Sequence, residues 1–177
     1  MNILSTILLV IAGIIILLLI IALFMKKHHY VKREIVINAP LQKVFGFLKL
    51  LKNQDQFNKW ATTDKLNRKE EFKGTDGTVG FIYSWSGNKN AGQGEKEIKN
   101  IVEGKKIETE IRFIKPMRVT SYTIMETEYL SENETKVYLI NGGKLKYPIN
   151  LMIPMAEKNF AKDMDESLNK LKVILEK

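Results

Sequence analysis

The hydrophobic pattern of this chain changes character after its first 25 residues. Residues 3–25 form one uninterrupted apolar run without a charged side chain. A helix of that length rises about 34 Å, enough to cross the roughly 30 Å hydrocarbon core of a bilayer. The run has no polar face of the kind that a soluble amphipathic helix shows. It therefore predicts one N-terminal transmembrane helix, followed by a mixed and charged remainder.

A cleaved signal peptide is the competing interpretation of this run. Such a peptide has a basic region before a shorter apolar stretch, and small residues at its cleavage site. Here no Lys or Arg precedes the run, and Leu23-Phe24-Met25-Lys26-Lys27 contains no small-residue pair. A retained anchor is therefore the preferred interpretation.

The charges that flank the run predict its orientation and the domain organisation. Basic residues follow the run and none precedes it, the first two being Lys26 and Lys27. Because basic flanks stay on the cytoplasmic side, the rest of the chain is expected in the cytoplasm. We predict a single-pass membrane protein, with residues 1–29 as anchor and basic juxtamembrane linker and residues 30–177 as one domain.

The pattern after the anchor predicts an α+β domain. Alternation of apolar and polar residues predicts antiparallel strands at 30–37, 78–85, 93–102, 107–113, 118–130 and 135–144, with a turn cluster at 86–92. A helix is expected to open at Asn38-Ala39-Pro40, since Asn favours the cap and Pro the first turn. A second short helix is expected at 53–58. A long amphipathic C-terminal helix is predicted by an apolar stripe at helical spacing, and Pro154 either starts it or kinks it: Phe160, Met164, Leu168, Leu171 and Leu175.

Composition narrows the possible chemistry. The chain carries a formal net charge of +8, but its basic residues alternate with acidic ones, which favours a solvated basic surface over a nucleic-acid site. The absence of Cys excludes disulfides and thiol chemistry. The two histidines, His28 and His29, fall in the expected linker, where a solvated turn is a simpler interpretation than a metal site. The domain is therefore expected to lack imidazole, metal and cofactor.

Several short segments follow one another in a distinctive order: Val36-Ile37-Asn38-Ala39-Pro40, Lys43-Val44-Phe45, Trp60, the segment 79–85 with Gly92-Gln93-Gly94, and the C-terminal helix. In their order and spacing they resemble the START-like (SRPBCC) superfamily and its helix-grip fold. Within that superfamily the chain is most similar to membrane-anchored polyketide cyclase/dehydrase-like proteins. The resemblance covers residues 30–175. It implies a curved antiparallel sheet wrapped on the long C-terminal helix, with a cavity for an apolar or amphipathic small molecule.

Candidate ligand contacts follow from the strand faces, the helix stripe and the adaptable methionines. They are Phe81, Tyr83, Trp85, Ile111, Phe113, Tyr122, Ile124, Leu139, Met152, Met155, Phe160 and Met164. For any one of these residues a filled core is the more common interpretation, because protein interiors are close-packed. No catalytic residue is predicted, since period-two alternation places most strand carboxylates, such as Glu95 and Glu97, on the solvent side.

Three functions remain open at this level. The leading one is a non-catalytic, membrane-tethered module that binds a hydrophobic or lipid-like small molecule, with the lipid bilayer as its other partner. The second is a polyketide cyclase/dehydrase-type enzyme, which a buried carboxylate with a polar partner inside the cavity would favour. The third is a membrane-tethered module for protein interaction, which a cavity too small for a ligand would favour.

Overall fold

The structure is a computed structural model that describes residues 2–62, 68–87 and 92–177. Part of the turn cluster predicted at 86–92 lies outside the described residues. Within these described ranges there are five α-helices, seven strands and one 3-10 helix at Ile149–Met152. The helices are α1 Ile3–Phe24, α2 Leu41–Lys49, α3 Leu51–Phe57, α4 Lys59–Thr62 and α5 Ile153–Leu175. The strands are β1 His28–Ile37, β2 Lys69–Lys73, β3 Ile82–Ser86, β4 Gln93–Val102, β5 Lys106–Lys115, β6 Val119–Ser131 and β7 Glu134–Lys144.

The seven strands form one antiparallel sheet in the order β1-β7-β6-β5-β4-β3-β2. Along each strand, successive side chains point alternately to an inner face, which packs against the helices, and to an outer face. The registers place Lys96 opposite Ile111 and Tyr83 opposite Lys96. The inner face therefore carries a continuous row from β3 to β5 that includes charged as well as apolar side chains.

The long helix α5 packs its apolar stripe onto this inner face. Met164, Leu168, Leu171 and Leu175 are all buried there, together with Val137 of β7. Burial of a side chain of this size contributes about 1.5–3 kcal/mol, so the stripe is a principal source of stability. Pro154 occupies the first turn of α5, which confirms that it starts the helix. The predicted α+β architecture, a curved antiparallel sheet on a long C-terminal helix, is confirmed.

Two local predictions are wrong. Strand β2 was not expected, and the run predicted as a strand at 78–85 extends only over Ile82–Ser86. Gly77 and Gly80 adopt φ values of 77° and 87°, which interrupts an extended backbone before β3. Val79 consequently lies in a turn with 60% of its surface exposed. Asn38 does not cap α2, because the helix begins at Leu41 and Pro40 occupies the N-cap position; the backbone N–H of Asn38 donates to Glu176.

Helix α1 projects from the domain. Among its residues, all of which the structure describes, Ala22 alone is buried. It is the one described helix that is long and apolar enough to cross a membrane, and a signal sequence would have the same properties. Its exposed apolar surface distinguishes it from a soluble core helix, which buries at least one face.

Candidate functional site

A cavity of about 390 Å³ lies between the inner face of the sheet, α3, α4 and the first half of α5. From Met164 onward the apolar stripe of α5 packs against the sheet and leaves no cavity. The cavity lies nearer the start of α5, where Phe160 lines it. Apolar side chains make up half of its lining: Leu51, Trp60, Ala61, Trp85, Ile111, Phe113, Val119, Leu145 and Phe160. The other half is polar or carries a polar tip: His29, Gln54, Asp55, Asn58, Arg68, Tyr83, Lys96, Ser121 and Asn141.

Aromatic rings form two walls of the cavity. On the sheet, Trp85 packs edge-on to Phe113 with ring centroids 5.9 Å apart, and Tyr83 lies 6.0 Å from Trp85. On the helical side, Trp60 packs edge-on to Phe160 at 5.8 Å. Such pairs stabilise one another through edge-to-face contact while leaving flat apolar surface toward the cavity.

Gly94 makes the sheet wall possible. A Cβ at this position would lie 2.6 Å from the Trp85 ring and 2.8 Å from the carbonyl oxygen of Arg112. The indole ring therefore lies directly across β4, and it does so because β4 has no side chain there. A strand glycine typically marks such a close approach.

The most unusual group at the cavity is Lys96, on the inner face of β4. Only 7% of its surface is exposed, and its Nζ donates to Gln54 Oε1 at 2.5 Å. Burial disfavours the ammonium and, against the attraction of Asp55, lowers the pKa of Lys96 to about 8. An ammonium carries three donors, so a ligand that offers a hydrogen-bond acceptor would find a partner here.

A second charged group lies beside Lys96. Arg68 contacts Asp55 at 3.6 Å and Glu70 at 2.6 Å, and its side chain is 4% exposed. The Tyr83 hydroxyl donates to Glu70 at 3.0 Å, and burial raises the pKa of that hydroxyl. The opposite charges of Arg68 and its carboxylates largely compensate one another. Gln54, Asp55, Arg68 and Lys96 were not predicted to line a site.

His29 corrects the prediction that the domain has no imidazole. His28 and His29 begin β1 and do not form a solvated linker. His29 is 4% exposed, its Nε2 lies 3.1 Å from Asn141 Oδ1, and its ring packs 5.4 Å from that of Phe160. Its Nδ1 has no hydrogen-bond partner among the described residues. The described residues contain no cluster of three His, Asp or Glu side chains able to hold a metal ion.

The structure brings five of the predicted ligand contacts together at the cavity: Tyr83, Trp85, Ile111, Phe113 and Phe160. Phe81 belongs to a packed cluster with Leu51, Tyr83 and Ile98. Leu139 and Met164 lie in the main core, with 4% and 0% of their surfaces exposed. These three residues support the cavity from behind.

Four predicted contacts do not line this cavity. Tyr122 and Ile124 alternate with the inward-facing Ser121 and Thr123 on β6, so their side chains lie on the outer face of the sheet. Met152 ends the 3-10 helix and Met155 lies in the first turn of α5; half or more of each surface is exposed, and neither residue lines the cavity.

Comparison with solved structures shows the same architecture in other proteins. A truncated norcoclaurine synthase from Thalictrum flavum superposes with a TM-score of 0.61 at 12% identity, over 85% of this chain and 95% of that one. A protein from Chromobacterium violaceum gives a TM-score of 0.59 at 14% identity, over 84% and 98%. Ara h 8.0201 gives 0.52 at 12% identity, over 81% and 98%.

The chain has the helix-grip fold. The START-like resemblance seen in the sequence is thus confirmed at the level of fold. No protein-family model matches the chain, and no curated protein matches it in sequence. At these identities the helix-grip likeness shows the fold alone, and function has to be argued from the cavity.

Proposed function

We propose that this protein is a membrane-anchored module that binds a hydrophobic or amphiphilic small molecule without converting it. The observation that carries the proposal is the aromatic-lined cavity between α5 and the sheet. Its volume of about 390 Å³ falls in the range of known small-molecule sites, which combine apolar walls with a few placed polar groups. Trp85, Phe113 and Phe160 supply the apolar surface, and Lys96 supplies a polar group.

The anchor part of the proposal rests on α1. It spans 22 residues, and almost all of its apolar surface is exposed, which water would disfavour and a bilayer would accept. In its last turn the carbonyl oxygen of Ala22 also accepts a hydrogen bond from the side-chain amide of Asn150 in the domain. A segment removed after targeting would have no use for such contacts. With the basic residues on the domain side of the helix, the domain faces the cytoplasm in this proposal.

A cyclase- or dehydrase-type enzyme is the second candidate, and one observation favours it. The cavity contains a buried carboxylate, Asp55, in an ion pair with Arg68, and a buried amine of lowered pKa, Lys96. Perturbed titratable groups in a cavity are typical of active sites. Binding remains the leading function, because Arg68, Glu70 and Tyr83 contact one another. Contacts of this kind also occur in ion pairs that only stabilise a fold, so they do not by themselves indicate catalysis. The volume of the cavity gives no support to a pure protein-interaction module.

Native mass spectrometry of the purified full-length protein tests the two candidates together. Binding predicts a co-purified molecule, or an added fatty-acyl or polyketide-like compound, that leaves the protein with its mass unchanged. Turnover predicts a product of different mass that disappears in Lys96→Met or Asp55→Asn. Absence of any bound compound, and of any saturable binding of added ones, would contradict both.

A further inference from the structure

The end of α1 is fastened to the folded domain. The side-chain amide of Asn150 donates to the carbonyl oxygen of Ala22 at 2.7 Å and to that of Met25 at 3.3 Å. The last carbonyls of a helix lack partners within the helix, so an amide that reaches them acts as a cap. Asn150 is fully buried in doing so, and Ala22 is buried against it. The 3-10 helix Ile149–Met152 is therefore a seat for the end of α1.

The three residues between α1 and β1 are held as well. Lys26 forms a 2.8 Å ion pair with Glu157 of α5, and the same carboxylate accepts the N–H of Tyr30 at 3.1 Å. The carbonyl oxygen of Lys27 accepts the N–H of Leu145 at 2.9 Å. With contacts to α5 on one side and to the end of β7 on the other, this connection fixes the direction of the domain relative to α1.

Three large apolar side chains lie exposed next to this seat: Tyr147, Met152 and Met155. The exposed fractions of their surfaces are 42%, 50% and 55%. All three lie within five residues of Asn150, whose side chain contacts the last turn of α1. Exposed lysines lie close to them in the sequence, among them Lys146 and Lys158. Apolar tips with lysines around them match the interface of a bilayer, where acyl chains meet anionic headgroups.

The cavity lies at the same end of the domain. His28, at the start of β1, pairs with Lys144 at the end of β7. At this same end of the sheet, Ser121 of β6 pairs with Gly143 and Phe113 of β5 pairs with Val119. Three residues at this end of the strands line the cavity, namely Phe113, Val119 and Ser121. The domain is therefore attached to α1 at its cavity end.

We propose that Tyr147, Met152 and Met155 form a membrane rim that is inserted in the lipid interface. This rests on the membrane anchor of the proposed function. Asn150 and Glu157 hold the rim at that depth, and the cavity end of the sheet faces the bilayer, so that a ligand passes between cavity and membrane without crossing bulk water.

Single-cysteine labelling of the full-length protein tests the rim directly, because the chain contains no cysteine. Met155→Cys and Val173→Cys form a matched pair: both lie on α5, and the native side chains are 55% and 60% exposed. They are separated by five helical turns, about 27 Å, so they lie on the same helix face. Each variant is labelled with an environment-sensitive fluorophore and placed in nanodiscs of phosphatidylcholine and phosphatidylglycerol with brominated acyl chains.

The rim predicts several-fold stronger quenching at position 155 than at position 173, and weaker quenching at 155 when Glu157→Lys or Asn150→Ala is added. Met152→Cys should behave as Met155→Cys does. Equal quenching at 155 and 173 in a protein that remains membrane-integral would overturn the inference and leave the anchor intact. Extraction of the protein by alkaline carbonate would instead refute the anchor. Loss of small-molecule binding with strong quenching at 155 would refute the ligand function alone.

Discussion

Lys96 and Gln54 meet in a 2.5 Å hydrogen bond at the polar side of the cavity. The amine on β4 and the amide on α3 thereby connect the sheet to the helical side of the site. A buried ammonium is costly to keep, since burial lowers the pKa of Lys96 from 10.5 to about 8. A shift of that size corresponds to a cost on the order of 3 kcal/mol at neutral pH. Retaining such a group in place of an apolar one is typical of a functional position.

Replacing Lys96 with Met should stabilise the protein at neutral pH. The folded state loses the proton of Lys96 near pH 8, whereas the unfolded chain keeps it up to about pH 10.5. The wild type therefore gains stability from this group as pH rises through that window, and the variant does not. We expect Lys96→Met to raise the free energy of unfolding by about 1–3 kcal/mol at pH 7, with the difference shrinking toward pH 10.

Urea titrations of both proteins at several pH values measure this difference. Lys99→Met on the same strand is the control, because Lys99 is exposed and should show no comparable gain. The neighbouring charged and polar side chains Asp55, Arg68, Glu70 and Tyr83 are retained in all three proteins. If Lys96→Met were instead less stable than the wild type at pH 7, the favourable interactions of the Lys96 amine would outweigh the cost of burying it.

The stripe of α5 can be tested by a matched pair of aspartates. Leu168 is 2% exposed and lies against the sheet, whereas Val173 is 60% exposed on the same helix. Leu168→Asp buries an unpaired charge, a cost comparable with the 5–15 kcal/mol total stability of a domain. We expect it to abolish cooperative melting, while Val173→Asp changes stability by only about 0.5 kcal/mol.

The measurement is thermal melting of residues 27–177, followed by circular dichroism. This truncation is expected to leave the core intact, because Ala22 is the one buried residue of α1 that it removes. A Leu168→Asp variant that melts at the wild-type temperature would contradict the helix-grip core. A truncated wild-type domain that fails to melt cooperatively would show that α1 is part of the fold.

The anchor has its own test. Because α1 is long enough to span a bilayer, the full-length protein should remain in the membrane fraction after an alkaline carbonate wash and keep its full mass. The proposed cytoplasmic orientation predicts that protease added to intact cells leaves the domain uncut. Loss of about the first 25 residues would establish a signal peptide.

The sequence predicted the fold well because strand alternation and helix stripes are local signals. Ile107, Thr109 and Ile111 alternate with Glu108 and Glu110, and the structure places the first three on the inner face. The failures are equally physical. Position 79 continues the alternation, but the flanking glycines turn the backbone there.

The site was predicted less completely because a cavity is assembled across the chain. Alternation alone indicates that Lys96 lies on the inner face with Gly94 and Ile98, whereas Glu95 and Glu97 lie on the outer face, but it does not indicate that Lys96 lines a cavity. Asp55 and Arg68 carry no such local signal, since they meet only after α3 folds against the sheet. The inner or outer placement of Tyr122 and Ile124 depended on the phase of β6, which its mixed composition does not fix.

The central claim is that the cavity binds a hydrophobic ligand, and a matched pair of tryptophan substitutions tests it. Ile111 of β5 lines the cavity, whereas Ile124 of the neighbouring β6 lies on the outer face of the same sheet. Ile111→Trp should fill the cavity, at a packing cost of about 1–3 kcal/mol. Ile124→Trp adds the same ring outside this cavity, in an open groove on the outer face of the sheet.

The measurement is the fluorescence of anilinonaphthalene sulfonate bound to residues 27–177, and its displacement by oleate. The wild type and Ile124→Trp should bind the dye saturably and release it to oleate. Ile111→Trp should bind dye and oleate at least several-fold more weakly while its circular dichroism spectrum stays that of the wild type. Equal binding by Ile111→Trp and Ile124→Trp, with both folded, would contradict the assignment of this cavity as the ligand site.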